Sequence, residues 1–392
     1  MRLSLKALEG YLPAWNDQFQ GGSDDLQAWI VLLLDPAAAP FPPRPFFMTT
    51  SVESIDLSNE EPVFPEAENG LKRSLDYLGY APCPIRADIR RRLHRRFEAE
   101  RLRTGLEPKW FMPTGCADPD PYEEIWGSDD EAGMPALISE GGIADILRPA
   151  FVRRWVDTGV YGPLPSTPKL RAEFEEAGMR DPAGVYHIYG VFSQVILVDL
   201  KRLGDRPLPS TWADLLDPVY RKDVIIGGEE GDISDVVLFN FHKEFGEPGL
   251  EALGRNVRDF WNSAQMARTA GTENPKGAAL YVVPWFFASG NPHKERTRIV
   301  WPADGVLSMP LFLIGKPQST PAARLAFDFF TGPECAAFMA QVHFPPSLDF
   351  GASTPALPGK LKWLGWDYLR GHGDLNDLRA PLNAAFLKGF RA

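Results

Sequence analysis

At 392 residues the chain is longer than an ordinary single domain and suits two domains. Its hydrophobic content of 44% against 24% charged residues supports a folded core and excludes global disorder. A formal net charge of -11 argues against a general nucleic-acid-binding protein, because such a protein needs a basic face. The sequence contains no apolar run long enough for a membrane-spanning helix, so direct membrane insertion is not expected.

The first residues, MRLSLKALEGYLPAWNDQF, contain no continuous apolar stretch before Glu9. They are therefore not expected to form a secretory signal, which favours a cytoplasmic protein. A periplasmic location is expected only if a signal was removed from the sequence. The three cysteines, Cys83, Cys116 and Cys335, are widely spaced and indicate no disulfide framework, which is consistent with a reducing compartment.

Residues 1–74 are interpreted as an addition to the main fold. The continuous apolar run from Trp29 to Leu34 is predicted to be a buried strand. Residues 36–45 are rich in proline and alanine and are predicted to be a loop. Residues 53–70 are acidic and carry no functional pattern, so packing against the main body is the default interpretation.

A βαβαβ pattern begins at Leu75. Three short apolar runs are predicted to be strands, and each ends in turn-forming or small residues: 78–81 before Pro82-Cys83-Pro84, 109–112 before Pro113-Thr114-Gly115-Cys116, and 134–138 before Ser139-Glu140-Gly141-Gly142. Apolar residues recur at every fourth position from Ile85 to Phe97, which predicts a helix over 85–104. A further helix is predicted over 151–158.

The stretch from Gly190 to Gly228 is predicted to form a strand, a turn, a helix, a turn and a second strand. The first strand contains the β-branched run 195–198, and the prolines of 206–209 end it. Ser210 or Thr211 is expected to cap the helix, and Pro218 ends it. The second strand, 223–226, breaks at Gly227 and Gly228.

The remainder of the chain alternates helices and strands. Helices are predicted over 233–245 and through most of 250–267, and a strand over 278–283 is followed by Trp285 and Phe286. The apolar segment 298–315 is predicted to return the chain to the first half. Two helices are predicted within 321–342.

The blocks 190–228 and 298–342 resemble the type 2 periplasmic binding proteins, the substrate-binding components of ABC transporters. In the ferric-iron and spermidine-like branch the first block usually reads "strand, P-TW-DLLDP-Y, strand", and here it reads PLPSTWADLLDPVY between two strands. The resemblance implies an α/β fold with two lobes, each a mixed sheet flanked by helices. Lobe one would comprise 75–191 and 306–392, lobe two 192–305, and residues 1–74 an N-terminal extension.

The resemblance also implies a function without catalysis. Two strands crossing between the lobes, near 192–198 and 306–314, would act as a hinge, and the lobes would close on a small solute. The expected ligand is a small anion or a metal complex. Membrane subunits of an ABC transporter are possible partners, no nucleic acid is expected as a partner, and no bound cofactor is expected.

Candidate ligand-binding residues follow the predicted strands, because ligands in open α/β sheets bind beyond the carboxyl ends of strands. They are Cys83, Thr114, Cys116, Glu140 and Gly141 in lobe one, and Gly227, Gly228, Trp285, Phe286 and Asp304 in lobe two. Glycines there would let a ligand approach the backbone, and aromatic side chains would stack on an organic ligand. The alternative is that these are ordinary turns, which for Asp304 before a glycine is the favoured interpretation.

Cys83, Cys116 and Met266 would form a soft ligand set for a thiophilic metal if the fold brings them together. The alternative is that each is a small buried hydrophobic residue. The ferric-binding relatives use a pair of adjacent tyrosines, which this sequence lacks, so iron is not well supported.

Three rival hypotheses remain. The chain could be a cytoplasmic enzyme on the same two-lobe fold, although its six histidines are scattered and no hydrolase, zinc-protease or phosphate-loop motif occurs. It could carry or sense a metal or metallocofactor. It could also be a structural partner protein that docks through the arginine-rich helix 85–104, whose arginines are otherwise interpreted as a solvated face.

Overall fold

The structure is a computed structural model that describes residues 74–113, 120–164 and 169–392. The described residues all belong to one unit, Gly70–Ala392. The predicted strand from Trp29 to Leu34 lies outside the described residues. None of the helices in the described part of the chain combines the length and apolar character needed to cross a membrane.

Short strands alternate with helices along the chain. The strands are β1 (Tyr77–Gly79), β2 (Trp110–Phe111), β3 (Leu137–Gly141), β4 (His187–Asp199), β5 (Val224–Ile226), β6 (Gly228–Glu229), β7 (Asp232–Ile233), β8 (Val257–Phe260), β9 (Leu280–Pro284), β10 (Thr297–Val300), β11 (Val306–Gly315) and β12 (Leu361–Lys362). The helices are α1 (Cys83–Thr104), α2 (Pro149–Phe151), α3 (Ala172–Glu176), α4 (Leu200–Leu203), α5 (Asp235–Asn256), α6 (Ser263–Thr269), α7 (Trp285–Ser289), α8 (Pro321–Phe330), α9 (Pro333–Gln341), α10 (Trp366–Gly371) and α11 (Leu375–Phe390).

All of these strands except β6 and β7 form one mixed sheet, whose halves repeat the same topology. In the first half the order is β2-β1-β3-β11-β4, and in the second half it is β8-β5-β9-β4-β10. In each half the first three strands are parallel to one another. Each of the next two strands runs antiparallel to the strand before it. The long strands β4 and β11 join the halves, so the predicted fold of two lobes connected by two crossing strands is confirmed.

In helix α1 the apolar residues at every fourth position form one buried face. Ile85, Ile89, Leu93 and Phe97 are all buried, and they pack in one cluster with residues of α8 and α9. Fully burying such a side chain stabilises the fold by about 1.5–3 kcal/mol. The helix ends at Gly105, whose φ of 73° is the left-handed conformation that glycine adopts most readily.

The arginines of α1 form ion pairs with residues on α1 and on α9. Arg92 and Arg96 contact the carboxylate of Glu334 at 3.3 and 2.9 Å. Arg91, Arg101 and Arg103 each form an ion pair with a carboxylate three residues earlier in the same helix. The interpretation as a solvated face therefore fits this helix better than the docking hypothesis.

The block 190–228 forms β4, a 3-10 helix over Ala213–Leu216 and β5, as the resemblance implied. The helix is shorter than predicted and is not capped by Ser210 or Thr211. Instead, the Asp214 side chain accepts hydrogen bonds from both of their backbone N–H groups, at 2.7 and 2.9 Å. The direction is therefore the reverse of a serine or threonine cap, because the carboxylate inside the helix accepts from the residues before it.

The C-terminal helix α11 packs along α5, which belongs to the second half of the sheet. The predicted lobe boundaries instead place all of 306–392 in lobe one. Helix α5 itself bends at Gly246, where φ is 64° and ψ is -167°, and Pro248 follows in the next turn.

Candidate functional site

A cavity of about 1030 Å³ lies between the two halves of the sheet. Its walls come from the loops after β1 and β3, from the first turn of α5, and from the crossing strands β4 and β11. The lining residues are Tyr80, Ala81, Pro82, Arg86, Asp120, Glu123, Trp126, Glu140, Gly141, Gly142, Asp145, Arg148, Phe192, Ser234, Asp235, Val236, Met309 and Leu311. Its position beyond the carboxyl ends of the parallel strands is where open α/β sheets bind ligands.

Tyr80 and Asp120 form a hydrogen-bonded pair in the first-half wall. The Tyr80 hydroxyl donates to Asp120 Oδ2 at 2.6 Å, and the backbone N–H of Tyr122 donates to Asp120 Oδ1 at 2.8 Å. Burial and the adjacent Asp120 carboxylate raise the pKa of Tyr80 well above its usual value, so the phenol stays protonated. The pair therefore presents a carboxylate held in place by a neutral donor.

Glu140 is the last polar side chain before Gly141 at the end of β3. Its two carboxylate oxygens accept hydrogen bonds from the backbone N–H groups of Asp145 and Ile146, at 3.1 and 3.3 Å. Burial raises the pKa of Glu140 to about 8 despite these hydrogen bonds, and the nearby carboxylates of Asp145 and Asp120 add to the rise. Glu140 is therefore poised to change charge near neutral pH.

Two further carboxylates of the wall form ion pairs. Asp145 accepts from Arg148 Nη1 at 3.0 Å, while Arg148 Nε donates to Asp374 at 3.1 Å. Across the cavity, Asp235 is held by a two-point contact with Arg379, at 2.9 and 2.6 Å. Both contacts use residues of the C-terminal segment that do not line the cavity.

Carboxylates outnumber guanidinium groups in the lining by five to two. Of the five, Asp120, Glu123 and Glu140 make no ion pair within the described residues. Trp126 and Tyr80 add aromatic surface beside them, with ring centroids 6.1 Å apart. The arrangement combines negative charge with aromatic faces, which together suit a positively charged organic group.

Several predicted site residues lie at or near this cavity. Glu140 and Gly141 line it, and a Cβ on Gly141 would lie 2.7 Å from the end of the Leu311 side chain, which would have to shift to admit a larger residue. Thr114 and Cys116 lie outside the described residues. Cys83 begins α1 immediately after Pro82 but does not itself line the cavity.

Gly227 and Gly228 do not line the cavity, because a small hairpin that begins at Gly228 separates them along the chain from the cavity wall. Strands β6 and β7 pair Gly228 with Ile233, and the chain reaches the cavity only at Ser234. Gly228 has a φ of 113°, and a Cβ there would lie 2.5 Å from the carbonyl oxygen of Asp232. The glycine is therefore required to close the hairpin.

Trp285 and Phe286 are also absent from the cavity lining. Trp285 packs between Trp301 and His343, with ring centroids 5.1 and 4.8 Å away. Phe286 packs against Phe344 at 6.0 Å. These rings connect α7 of the second half to the segment after α9, and this contact explains their aromatic character without a ligand.

Asp304 belongs to a structural network. One of its carboxylate oxygens accepts from the backbone N–H of Trp212 at 3.3 Å, and the other accepts from Lys362 Nζ at 3.0 Å. Lys362 also contacts Glu244 at 3.1 Å. The turn interpretation of Asp304 therefore fits the structure better than a ligand-binding role.

The proposed metal ligands are not arranged for that role where the structure describes them. Cys83 is disulfide-bonded, so its sulfur is not the thiolate that a thiophilic metal requires. Met266 is fully buried in the hydrophobic core of the second half. Among the described residues, no group of three or more histidine, cysteine, aspartate or glutamate side chains could hold a metal ion.

The sequence predictions missed most of the acidic wall and both of its long-range ion pairs. The paired residues are far apart in the chain, 226 residues for Arg148 and Asp374 and 144 residues for Asp235 and Arg379, and the hydrogen-bonded Tyr80 and Asp120 are 40 residues apart. No local pattern indicates such pairs. The strand-end rule could have identified Tyr80, which directly follows β1, and Ser234, which directly follows β7.

The repeated topology and the cavity between the halves define a type 2 periplasmic binding protein fold. Three solved structures with this fold align with 79–82% of this chain at 14% sequence identity. An iron-binding protein of Trichodesmium (IdiA, FutA), solved with iron and citrate, has a TM-score of 0.54 at 14% identity and covers 79% of this chain and 98% of its own. An ABC transporter protein of Clostridium perfringens has a TM-score of 0.53 at 14% identity, covering 79% and 99%. AfuA of Actinobacillus pleuropneumoniae, solved with fructose 6-phosphate, has a TM-score of 0.50 at 14% identity, covering 82% and 99%.

The family model described as "Bacterial extracellular solute-binding protein" matches residues 132–372. The chain therefore belongs to the bacterial extracellular solute-binding proteins. Members of this family bind small ligands and work with ABC transporter membrane subunits, as transport components rather than enzymes. No curated protein sequence matches the chain.

Proposed function

We propose that this protein captures a small organic cation in the cavity between its lobes. The observation that carries the proposal is the set of three cavity carboxyl groups, Asp120, Glu123 and Glu140, that make no ion pair within the described residues, with Glu140 losing its proton as the cation binds. A bound cation would supply the missing positive charge in a partly desolvated site, where charge pairing is stronger than in water.

The aromatic side chains of the cavity indicate which class of cation would bind. Trp126 and Tyr80 lie beside the carboxylates and offer ring faces to an ammonium or guanidinium group. A bare metal ion is less suitable, because the described residues contain no metal-binding cluster. An anion is less suitable as well, because both guanidinium groups of the lining are already engaged. Arg148 is held by Asp145 and Asp374, and Arg86 Nε donates to the carbonyl oxygen of Ala81 at 2.9 Å.

The site of action that fits this function is outside the cytoplasm. The family is extracellular, and the disulfide at Cys83 suits an oxidising compartment. This proposal replaces the cytoplasmic location that the first residues favoured. The ligand would bridge the two lobes, shift an open–closed equilibrium, and be passed without chemical change to transporter membrane subunits.

Calorimetric titration against two matched panels tests the ligand class. One panel contains a diamine, a quaternary ammonium compound and a guanidinium compound. The other contains citrate, ferric citrate and fructose 6-phosphate. We expect binding from the first panel only.

An aspartate variant links the binding to the cavity. Asp120→Asn is expected to weaken binding of the cation by about 10- to 100-fold, since it removes a charged partner worth about 1.5–3 kcal/mol. Glu124→Gln makes the same charge change at an exposed position outside the lining and serves as the control. Tight binding of an anion, unchanged or strengthened by Asp120→Asn, would refute the proposal.

A further inference from the structure

The C-terminal helix α11 contacts both walls of the cavity. At its N-cap, Asp374 accepts from Arg148, which belongs to the first-half wall, at 3.1 Å. One turn later, Arg379 holds Asp235 of the second-half wall through two hydrogen bonds of 2.9 and 2.6 Å. Two residues that line opposite sides of the cavity are therefore held by one short stretch of chain.

The contact of α11 with the second half is close and extensive. The backbones of α5 and α11 approach so closely that a Cβ on Gly389 would lie 1.8 Å from the carbonyl oxygen of Glu251. A Cβ on Gly254 would lie 2.2 Å from the carbonyl oxygen of Phe386. Phe386 itself is fully buried. Helix α11 is thus expected to move with the second half.

The preceding helix α10 contacts both halves, because its Tyr368 hydroxyl is hydrogen-bonded to His242 Nδ1 of α5 at 2.7 Å while other residues of α10 contact the first half. Trp366 Nε1 donates to the carbonyl oxygen of Arg180 at 2.9 Å, and Arg370 contacts the buried carboxylate of Asp181 at 2.9 Å. Between α10 and α11 the chain passes through Gly373, whose φ is 70°. The C-terminal segment therefore makes a third crossing between the halves, through α10 and residues 371–374.

We propose that this third crossing is a strap between the lobes and that the Arg148–Asp374 ion pair is its releasable latch. The pair lies beside the crossing and joins α11, which is fixed to the second half, directly to the wall of the first half. Arg148 is 44% exposed and Asp374 24%, so the pair is accessible to solvent and to salt. Such a pair biases an equilibrium modestly without locking it.

The latch is testable without knowledge of the ligand, because it depends only on the fold. Asp374→Asn removes the charge but keeps the side-chain oxygen that accepts from the Asn376 N–H at the helix start. Asp377→Asn removes the same charge one turn into α11 from an exposed side chain with no ion pair in the described residues, and it serves as the matched control.

Spin labels at Glu107→Cys and Lys276→Cys, exposed positions in the first and second halves, report the lobe separation in the full chain. Double electron–electron resonance on the ligand-free protein is expected to show a two- to five-fold larger open population for Asp374→Asn, about the range for an exposed ion pair. High salt should open the unsubstituted protein to the same degree and leave Asp374→Asn unchanged. Identical distance distributions for Asp374→Asn and the unsubstituted protein, or an equal change in Asp377→Asn, would overturn the proposal.

Discussion

Glu140 experiences two opposing influences on its carboxyl group. Burial and the neighbouring carboxylates of Asp145 and Asp120 favour the protonated form, whereas hydrogen bonds from the backbone of Asp145 and Ile146 favour the charged form. Burial prevails and raises the pKa to about 8. Near neutral pH the residue therefore holds a proton in a large share of the molecules.

The raised pKa of Glu140 predicts whether ligand affinity rises or falls with pH. A bound cation stabilises the ionised carboxylate, lowers the pKa of Glu140 in the complex, and so releases a proton on binding. Affinity for the cation is expected to rise by up to about tenfold per pH unit below about pH 8 and to level off above it. Calorimetry in buffers of different ionisation enthalpy counts the protons released.

The Glu140→Gln variant is the control for this linkage. It removes the titrating group, and the pH slope should vanish while the cavity keeps its shape. A slope of the opposite sign in the unsubstituted protein would indicate that an anion binds there instead.

Asp304 illustrates a residue whose role is structural. Its carboxylate joins the Trp212 backbone to the Lys362 ammonium group, and Lys362 is only 16% exposed. Asp304→Ala is expected to lower the free energy of unfolding by about 1–3 kcal/mol in urea denaturation and to leave ligand affinity unchanged. Asp328→Ala, which breaks an exposed pair with Arg324, should cost less than about 1 kcal/mol. Loss of ligand binding by Asp304→Ala at unchanged stability would return Asp304 to the candidate site.

At the scale of elements, the close packing of helix α11 on α5 can be tested by enlarging a glycine between them. Gly389→Ala would place a methyl group against the backbone of Glu251 and force α11 away from α5, which is expected to cost about 1–3 kcal/mol or more. Gly127→Ala has open space around it and no positive φ, so its effect should stay within about 0.5 kcal/mol. Thermal unfolding of the two variants makes the comparison, and equal midpoints would show that the helices do not pack as described.

The elements themselves were largely predictable. The four-residue apolar period of α1 and the β-branched run of β4 are local patterns, and both elements form close to where they were expected. The predicted cap at 210–211 was wrong, because the backbone N–H groups of Ser210 and Thr211 donate to Asp214 and neither side chain caps the helix. The hairpin after Gly228 was missed because its two-residue strands are too short to produce a pattern.

At the scale of the whole molecule, the two halves share a strand order that the sequence does not reveal as a repeat. The order depends on which strands pair, and the pairs that involve β11, such as Ser193 with Ser308, join β3 and β4 to residues more than 100 positions away. The resemblance of 190–228 to a known family supplied this information, whereas composition and periodicity could not. The acidic wall was missed for the same reason, since it assembles only when distant segments meet.

The described residues form two lobes joined by the crossing strands β4 and β11, with an acidic, aromatic cavity between them. We propose that this cavity binds a small organic cation. Native mass spectrometry of the full chain, purified from its own host without added ligand, tests this claim most directly. We expect a bound amine- or guanidine-containing molecule that is lost in Asp120→Asn and kept in Glu124→Gln. A bound carboxylate, phosphate or ferric iron that persists in Asp120→Asn would contradict it.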